Sequence, residues 1–326
     1  MERIALYNSL RINWQNNPRL NVKPWQVENY RKLSYDQLFK GLEKFGVVLD
    51  KPFFLSLSEQ VPSPEEFVEH LLADNEESGE LYDQIYLLVF ELWRRLVPEK
   101  QTLGLFCDEL DHQIESFDRG DLAHFLEIEE AIDQLETILE DNASEESTPQ
   151  DLFHSIQENS AHDVESFLYD FIEMQIENGN PGYAEDLVET FLPYVEEPCW
   201  LNFLALKITS GKDLNEAEKL LHALIKEAIE KKDLELIFTL LFHLAQTGAL
   251  KEFQELVKTA VPLLKTEEDF QDLVEACIDF AHFKDADAEE KELKQLLESR
   301  KQRNKAALFL ARDEGMALLT PLIKKL

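Results

Sequence analysis

Lysine and arginine are missing from 87 consecutive residues, 120–206, where His124, His154 and His162 are the only basic candidates. The same run and the residues up to 197 hold 22 Asp and Glu, so the middle of the chain is strongly anionic. A field of that sign repels phosphates and anionic headgroups, and neither nucleic acid nor a membrane is expected as a partner. Glycine (10) and proline (12) are scarce for 326 residues. That leaves little material for the turns of an all-β protein and favours long helices. Cys107, Cys199 and Cys277 are odd in number and far apart, which excludes a disulfide framework or zinc knuckle and fits a reducing compartment. Long apolar runs are also missing: residues 85–97 and 234–245 are the most apolar stretches, and a bilayer span takes ~20 residues. The opening MERIALYNSLRINW has no unbroken apolar segment or cleavage pattern of a secretory signal, so the expected location is cytoplasmic.

What is present is apolar material for a core, 44% of residues with 21 Phe, under a net charge of −34. The charge is uneven. Residues 1–60 carry 9 basic and 6 acidic groups, whereas residues 61–200 carry 4 and 37. Residues 300–326 return to an excess of basic groups, 7 against 2. Such a surface attracts cations and basic proteins; it also serves solubility alone.

Residues 1–60 read as the least regular part, an irregular cap with one helix through Leu33, Leu38, Leu42 and Phe45 ending near Gly46. The run 51–62 is too short to classify by periodicity and is expected as an extended segment on the helices. Ser63-Pro64-Glu65-Glu66 is a helix start, with a capping hydroxyl, a first-turn proline and carboxylates at the positive end of the dipole. From Leu81 to Leu96 the apolar residues cover most of a helix's circumference, which predicts a helix at the centre of the N-terminal half. Helices over about 102–117 and 122–140 follow. NASEESTP (142–149) is poor in apolar residues and rich in turn formers, and divides residues 1–141, a cap and helical module, from 150–326.

Beyond residue 150 the chain repeats itself. AEDLVETFL (184–192) aligns with AEKLLHALI (217–225) at an offset of 33, and LVETFLP (187–193) with LVKTAVP (256–262) at 69. Gly179, Gly211 and Gly248 precede the repeated helices, and another apolar-faced helix precedes each glycine. Two helices per 33–37 residues predict an all-α array of antiparallel helix pairs, with a degenerate pair at 268–283 and 286–299 and a C-terminal capping helix within 306–326.

GKDLNEAEKLLHALIKEA (211–228) resembles the second half of a tetratricopeptide repeat, with Ala217 at the small-residue position of its second helix. Leu201, Leu204, Ala205 and Ile208 then fall on first-helix positions, as do Leu168, Phe171, Ile172 and Gln175 one unit earlier, with Ala184 at the small position. In the next unit these are Ile237, Leu240, Leu241 and Leu244, with Phe253 where a small residue is usual. The aromatic-Leu-Gly-aromatic signature of the first helix is absent, and HEAT-type or irregular helix pairs are the alternative. The resemblance covers about residues 163–265. It implies a protein-binding solenoid without catalysis or cofactor. Its groove would be lined by Ser166, Tyr169, Glu173 and Ile176, then Cys199, Asn202, Leu206 and Thr209, then Glu235, Phe238, Phe242 and Ala245. No Lys or Arg stands at these positions, so a basic or amphipathic protein segment laid in by its apolar face is the expected partner. Tyr169, Glu173, Asn202, Glu235, Phe238 and Phe242 are the candidate contacts.

Nucleophile elbows, phosphate-binding glycine loops, HExxH and CxxC patterns are absent. One constellation bears on chemistry: a histidine three residues after a carboxylate, at Glu109/His112, Asp121/His124, Asp151/His154 and Asp279/His282. Helical bundles that hold two metal ions present such pairs on facing helices. Glu109, His112, Asp121 and His124 are the candidates for that minority reading, in which the chain is a metal-binding protein or enzyme. The leading expectation is a non-enzymatic interaction scaffold, adaptor or chaperone-like module. A third is a structural oligomer assembled through the basic tail.

Overall fold

The computed structural model describes residues 3–72, 79–121, 125–143, 147–310 and 312–325. Among these the chain is all-helical, with 17 α-helices, no strand and one isolated antiparallel bridge, Thr266 to Leu308. No helix among the described residues is long and apolar enough to cross a membrane. The chain forms two compact units, Met1–Phe171 with Glu189–Glu196, and Ile172–Val188 with Glu197–Leu326. Of the stretch 142–149, residues 144–146 lie outside the described ones.

In the first unit the helices are α1 (Arg3–Asn16), α2 (Tyr35–Glu43), α3 (Lys51–Ser58), α4 (Pro64–Leu72), α5 (Gly79–Leu96), α6 (Leu103–Asp118), α7 (Phe125–Asp141), α8 (Pro149–Asn159) and most of α9 (Val164–Glu177). As its all-round apolarity predicts, α5 is buried over most of its length and packs on α2 and α4. An aromatic series runs Phe39, Phe54, Phe67, Trp93, with ring centroids 6.4, 4.5 and 5.8 Å apart. The close approach of α2 to α5 depends on Gly41, where an added Cβ would lie 2.9 Å from a Leu88 methyl.

Two expectations for the N-terminal residues fail. Residues 3–16 form a helix, α1, whose few buried residues (Ile4, Ala5 and Tyr7) leave little periodicity to read. Residues 51–58 are helical too, not extended. The Asp50 carboxylate accepts the Phe53 N–H at 2.9 Å, and Pro52 sits in the first turn, so the start signal outweighs the ambiguous apolar run.

The second unit contains the end of α9, most of α10 (Pro181–Phe191), α11 (Pro198–Ser210), α12 (Leu214–Lys231), α13 (Leu234–Thr247), α14 (Leu250–Ala260), α15 (Glu267–Phe283), α16 (Asp287–Arg300) and α17 (Glu314–Ile323). Sequence neighbours pack as pairs, α11 on α12, α13 on α14 and α15 on α16, while α13 also packs on α15 and α12 on α14. Aspartates cap α12 and α13: Asp213 accepts the N–H groups of Asn215 and Glu216, and Asp233 those of Glu235 and Leu236. Gly248 turns the chain at φ +73°, and a Cβ there would lie 2.5 Å from Phe283. Phe253 is wholly buried and stacks on Phe280 at 4.1 Å, so an aromatic fills the space a small residue would leave.

The tail departs from the expected helix. Residues 301–310 are not helical; Phe309 donates its N–H to the Lys265 carbonyl at 2.8 Å, and Glu267 donates to Ala307 at 2.9 Å. Phe309 stacks on Phe270 at 4.7 Å. Leu308 and Leu310, expected on an apolar helix face, are 78% and 62% exposed. Only Glu314–Ile323 is helical, capped by Asp313.

Candidate functional site

The groove candidates sit on three helices of the expected repeats, and burial divides them. Cys199, Leu206 and Ala245 are buried, so they pack inside the fold instead of facing a partner. Ser166 and Tyr169 lie in the first unit and the rest in the second, so each is described in its own unit. On α13, Glu235 is exposed, and Phe238 and Phe242 are half-buried. Their spacing of three and four places them along one side of the helix. Asn202 on α11 is half-buried, as are Thr209, Ile176 and Tyr169; Ser166 is exposed. Both rings are only partly buried, so each keeps some area exposed.

Glu173 is held differently from the sequence expectation. Lys207 Nζ donates to its carboxylate at 2.7 Å, so a groove position counted as anionic is neutralised. Lys207 stands beside His243, whose pKa burial and that neighbouring cation both push down. The His243 ring meets Phe203 edge-on at 5.7 Å. Sequence reasoning missed this group of Lys207, His243 and Phe203. The signal was available: Glu173 and Lys207 are opposite charges 34 residues apart, one repeat period, which is what contact between equivalent helices requires.

The metal candidates separate as well. Glu109 accepts from Arg31 at 2.9 Å and from Gln113 at 2.8 Å. Burial alone would raise its pKa, but Arg31 and Gln113 outweigh this and hold the carboxyl below its ordinary range. His112 is pushed down, first by burial and then by Arg31. A guanidinium bonded to Glu109 and close enough to depress His112 would repel a divalent cation, and that disfavours a metal reading at Glu109 and His112. Asp121 is exposed, and His124 lies outside the described residues. The Asp151 carboxylate is used to cap α8 through Thr148, and His282 is 3.4 Å from Glu290. Among the described residues no group of three or more His, Cys, Asp and Glu is placed to hold a metal ion.

The three cysteines are buried thiols. Burial, with Glu227 nearby, pushes Cys199 up to about 11, and burial pushes Cys277 up to about 12, far from a reactive thiolate.

One arginine in each unit is tied to buried acidic partners. Arg300 is 2% exposed. It donates to Glu267 at 2.7 and 2.5 Å and to Asp313 at 2.6 Å, and lies over the Phe270 ring at 4.4 Å. In the first unit Arg31 donates to Asp108 at 2.5 Å and to Glu109, from a turn at Tyr30–Lys32.

No protein-family profile matches the chain, and neither the curated proteins nor the solved structures contain a match.

Proposed function

We propose that the chain is a non-enzymatic scaffold that binds a basic, amphipathic protein segment along α13. The carrying observation is the pair of half-buried phenylalanines, Phe238 and Phe242, beside the exposed carboxylate of Glu235. Aromatic rings with exposed area supply affinity, and a neighbouring carboxylate selects a cation. The helix pairs α11/α12, α13/α14 and α15/α16 support a repeat array of the tetratricopeptide type, in which α11 and α13 are first helices lining one groove. The Glu173–Lys207 pair reduces the acidity of the groove, so selectivity for a basic segment rests on Glu235 and on the net charge of −34. The reading includes a cytoplasmic location, which the three buried, unbridged cysteines support.

Fluorescence anisotropy with a labelled amphipathic Lys/Leu helix, and with its Glu/Leu counterpart, tests the reading. The basic peptide binds and weakens as salt rises; Phe238→Ala with Phe242→Ala weakens it at least about 30-fold, the effect of losing one binding hot spot. Equal binding of both peptides, or binding indifferent to the double substitution, refutes it.

A second reading, self-association through the tail, draws on the exposure of Leu308, Leu310 and Leu318 (58%). Light scattering on the full chain and on Leu308→Lys/Leu310→Lys/Leu318→Lys distinguishes it, because the three exposed positions leave Arg300 and its partners in place. A mass that is monomeric in both removes this reading.

A further inference from the structure

The N-terminal helix α1 is fastened to the first unit chiefly through polar side chains. Its buried residues are Ile4, Ala5 and Tyr7, while Leu6 is 52% exposed. Arg3 and the Tyr7 hydroxyl both donate to the Asp83 carboxylate of α5, the hydroxyl at 2.6 Å. Asn8 donates to Asp108 at 2.9 Å, and Arg11 stands 3.6 Å from Glu115, both on α6. Residues 15–21, which lead out of α1, are all exposed. The segment that follows is held more firmly. Arg95 donates to the carbonyls of Tyr30, Arg31 and Leu33, and Arg31 to Asp108 and Glu109.

The seat beneath α1 is imperfectly filled. A cavity of about 40 Å³ separates Ile4, Tyr7 and Asn8 of α1 from Leu87 and Phe90 of α5 and Asp108 of α6. Arg11 and Asn29 line it too, and Arg11 Nε and Asn29 Oδ1 are closed off from solvent without a partner. A buried polar atom left unpaired forfeits its hydration for no return, which weakens the contact that buries it. Few buried apolar residues, ion pairs within reach of salt and an exposed connection together mark a segment that opens before the core does.

The face under α1 has a definite chemistry. Leu87 and Phe90, 3% and 2% exposed, form an apolar floor. Once α1 leaves, Asp83 loses both of its donors and Glu115 retains Arg119. An apolar floor edged by carboxylates fits what α1 itself brings: Ile4 and Tyr7 three residues apart on one side, with Arg3 and Arg11 beside them.

We propose that α1 is a displaceable strap, and that the α5–α6 face beneath it is a docking surface for a basic amphipathic helix of another protein. In the free chain α1 occupies that surface and blocks it. The surface lies in the first unit and is independent of α13.

Hydrogen exchange on the full chain is the first test. The amides of residues 7–13 are expected to exchange at least about 100-fold faster than those of residues 85–92, and rising salt widens the gap. Anisotropy with a labelled peptide of residues 1–16 is the second. A strap open about 1% of the time lowers the peptide's apparent affinity about 100-fold, so releasing the strap restores it. Arg3→Glu with Arg11→Glu repels the strap from Asp83 and Glu115, and that chain binds the peptide at least about 10-fold more tightly than the wild type. Arg3→Glu alone, at a half-exposed position, shifts affinity in the same direction by less, and serves where the double variant misfolds. A peptide carrying both charge reversals binds neither chain, and Phe238→Ala with Phe242→Ala leaves binding of the unaltered peptide unchanged. Amides of α1 that exchange in step with those of α5 overturn the proposal. So does a peptide that binds variant and wild type alike, binds neither, tolerates its own charge reversal, or depends on the α13 phenylalanines.

Discussion

Two arginines of this chain do similar electrostatic work in different surroundings. Arg300 is enclosed, with Glu267 and Asp313 at its nitrogens and the Phe270 ring on its face. Arg31 meets Asp108 and Glu109 but stands in the wall of a cleft with Lys32, Arg94 and Arg119 nearby. Burial weakens the charged form of both, and in both the paired carboxylates outweigh burial and raise the pKa. The difference lies in what is left over. Around Arg300 the donors and acceptors close on each other, which holds a chain end; near Arg31 the buried Asn29 Oδ1 and Gln113 Oε1 remain without a donor.

Removing each charge is the sharpest way to break that comparison. Arg300→Met keeps the aliphatic bulk but leaves the 4%-exposed Glu267 with only the more distant Arg303, 3.9 Å away, at a cost of about 3–5 kcal/mol in urea unfolding. Arg31→Met is expected to cost less, about 1–3 kcal/mol, because water can solvate the half-exposed Glu109 and the buried Asp108 keeps the Asn8 amide as a donor at 2.9 Å. Equal losses would dissolve the distinction.

Acid unfolding sharpens it further. Burial favours the protonated form of Glu267, yet Arg300 and Gln271 hold its pKa below the ordinary value; Arg300 does the same for Asp313. A depressed carboxylate contributes stability above its unfolded pKa and loses it as pH falls through the folded one. The Arg300 cluster therefore fails only below the ordinary carboxylate range near pH 4, and Arg300→Met flattens that limb of the stability–pH curve.

A smaller effect comes from the histidines. His112 and His243 have folded pKa values below 6.5, so the unfolded chain binds more protons in the window beneath it. Stability rises with pH through that window and declines from pH 7 to 5; His112→Gln and His243→Gln each remove part of the slope. The smallest expected signal is at sulfur. Native Cys277 resists alkylation at pH 8, and a thiol-reactive reagent labels it only after denaturant is added.

Most of the helices were legible in the sequence because apolar spacing and capping residues agree. The start at Ser63-Pro64, for example, is realised by Ser63 accepting the Glu66 N–H at 3.2 Å. The helix α1 was not legible, since its buried side is narrow. The first part of the tail was misread because Leu308 and Leu310 continue the helical spacing of Leu318 and Leu322, whereas the constraint there is Arg300, whose partners lie 33 residues before it and 13 after. Of the candidate groove, Phe238, Phe242 and Glu235 were readable as one side of a helix. The burial of Cys199, Leu206 and Ala245, and the neutralisation of Glu173, depend on neighbouring helices and have no local signature. The Arg31 cleft left only a composition clue, basic residues in an acidic stretch. That the Gln113 amide oxygen finds no donor is visible only in three dimensions.

The Arg300 cluster also sets how the second unit opens. The amides of Glu267, Glu268 and Phe309 donate to Ala307, Lys305 and Lys265, and a single guanidinium joins both sides of that ladder to Asp313. Hydrogen exchange at these three amides is thus expected to follow one cooperative event, with similar opening free energies despite their separation in sequence. The start of α15 and the extended tail form one foldon, and the protein's far-apart residues 267 and 313 open together or remain closed together.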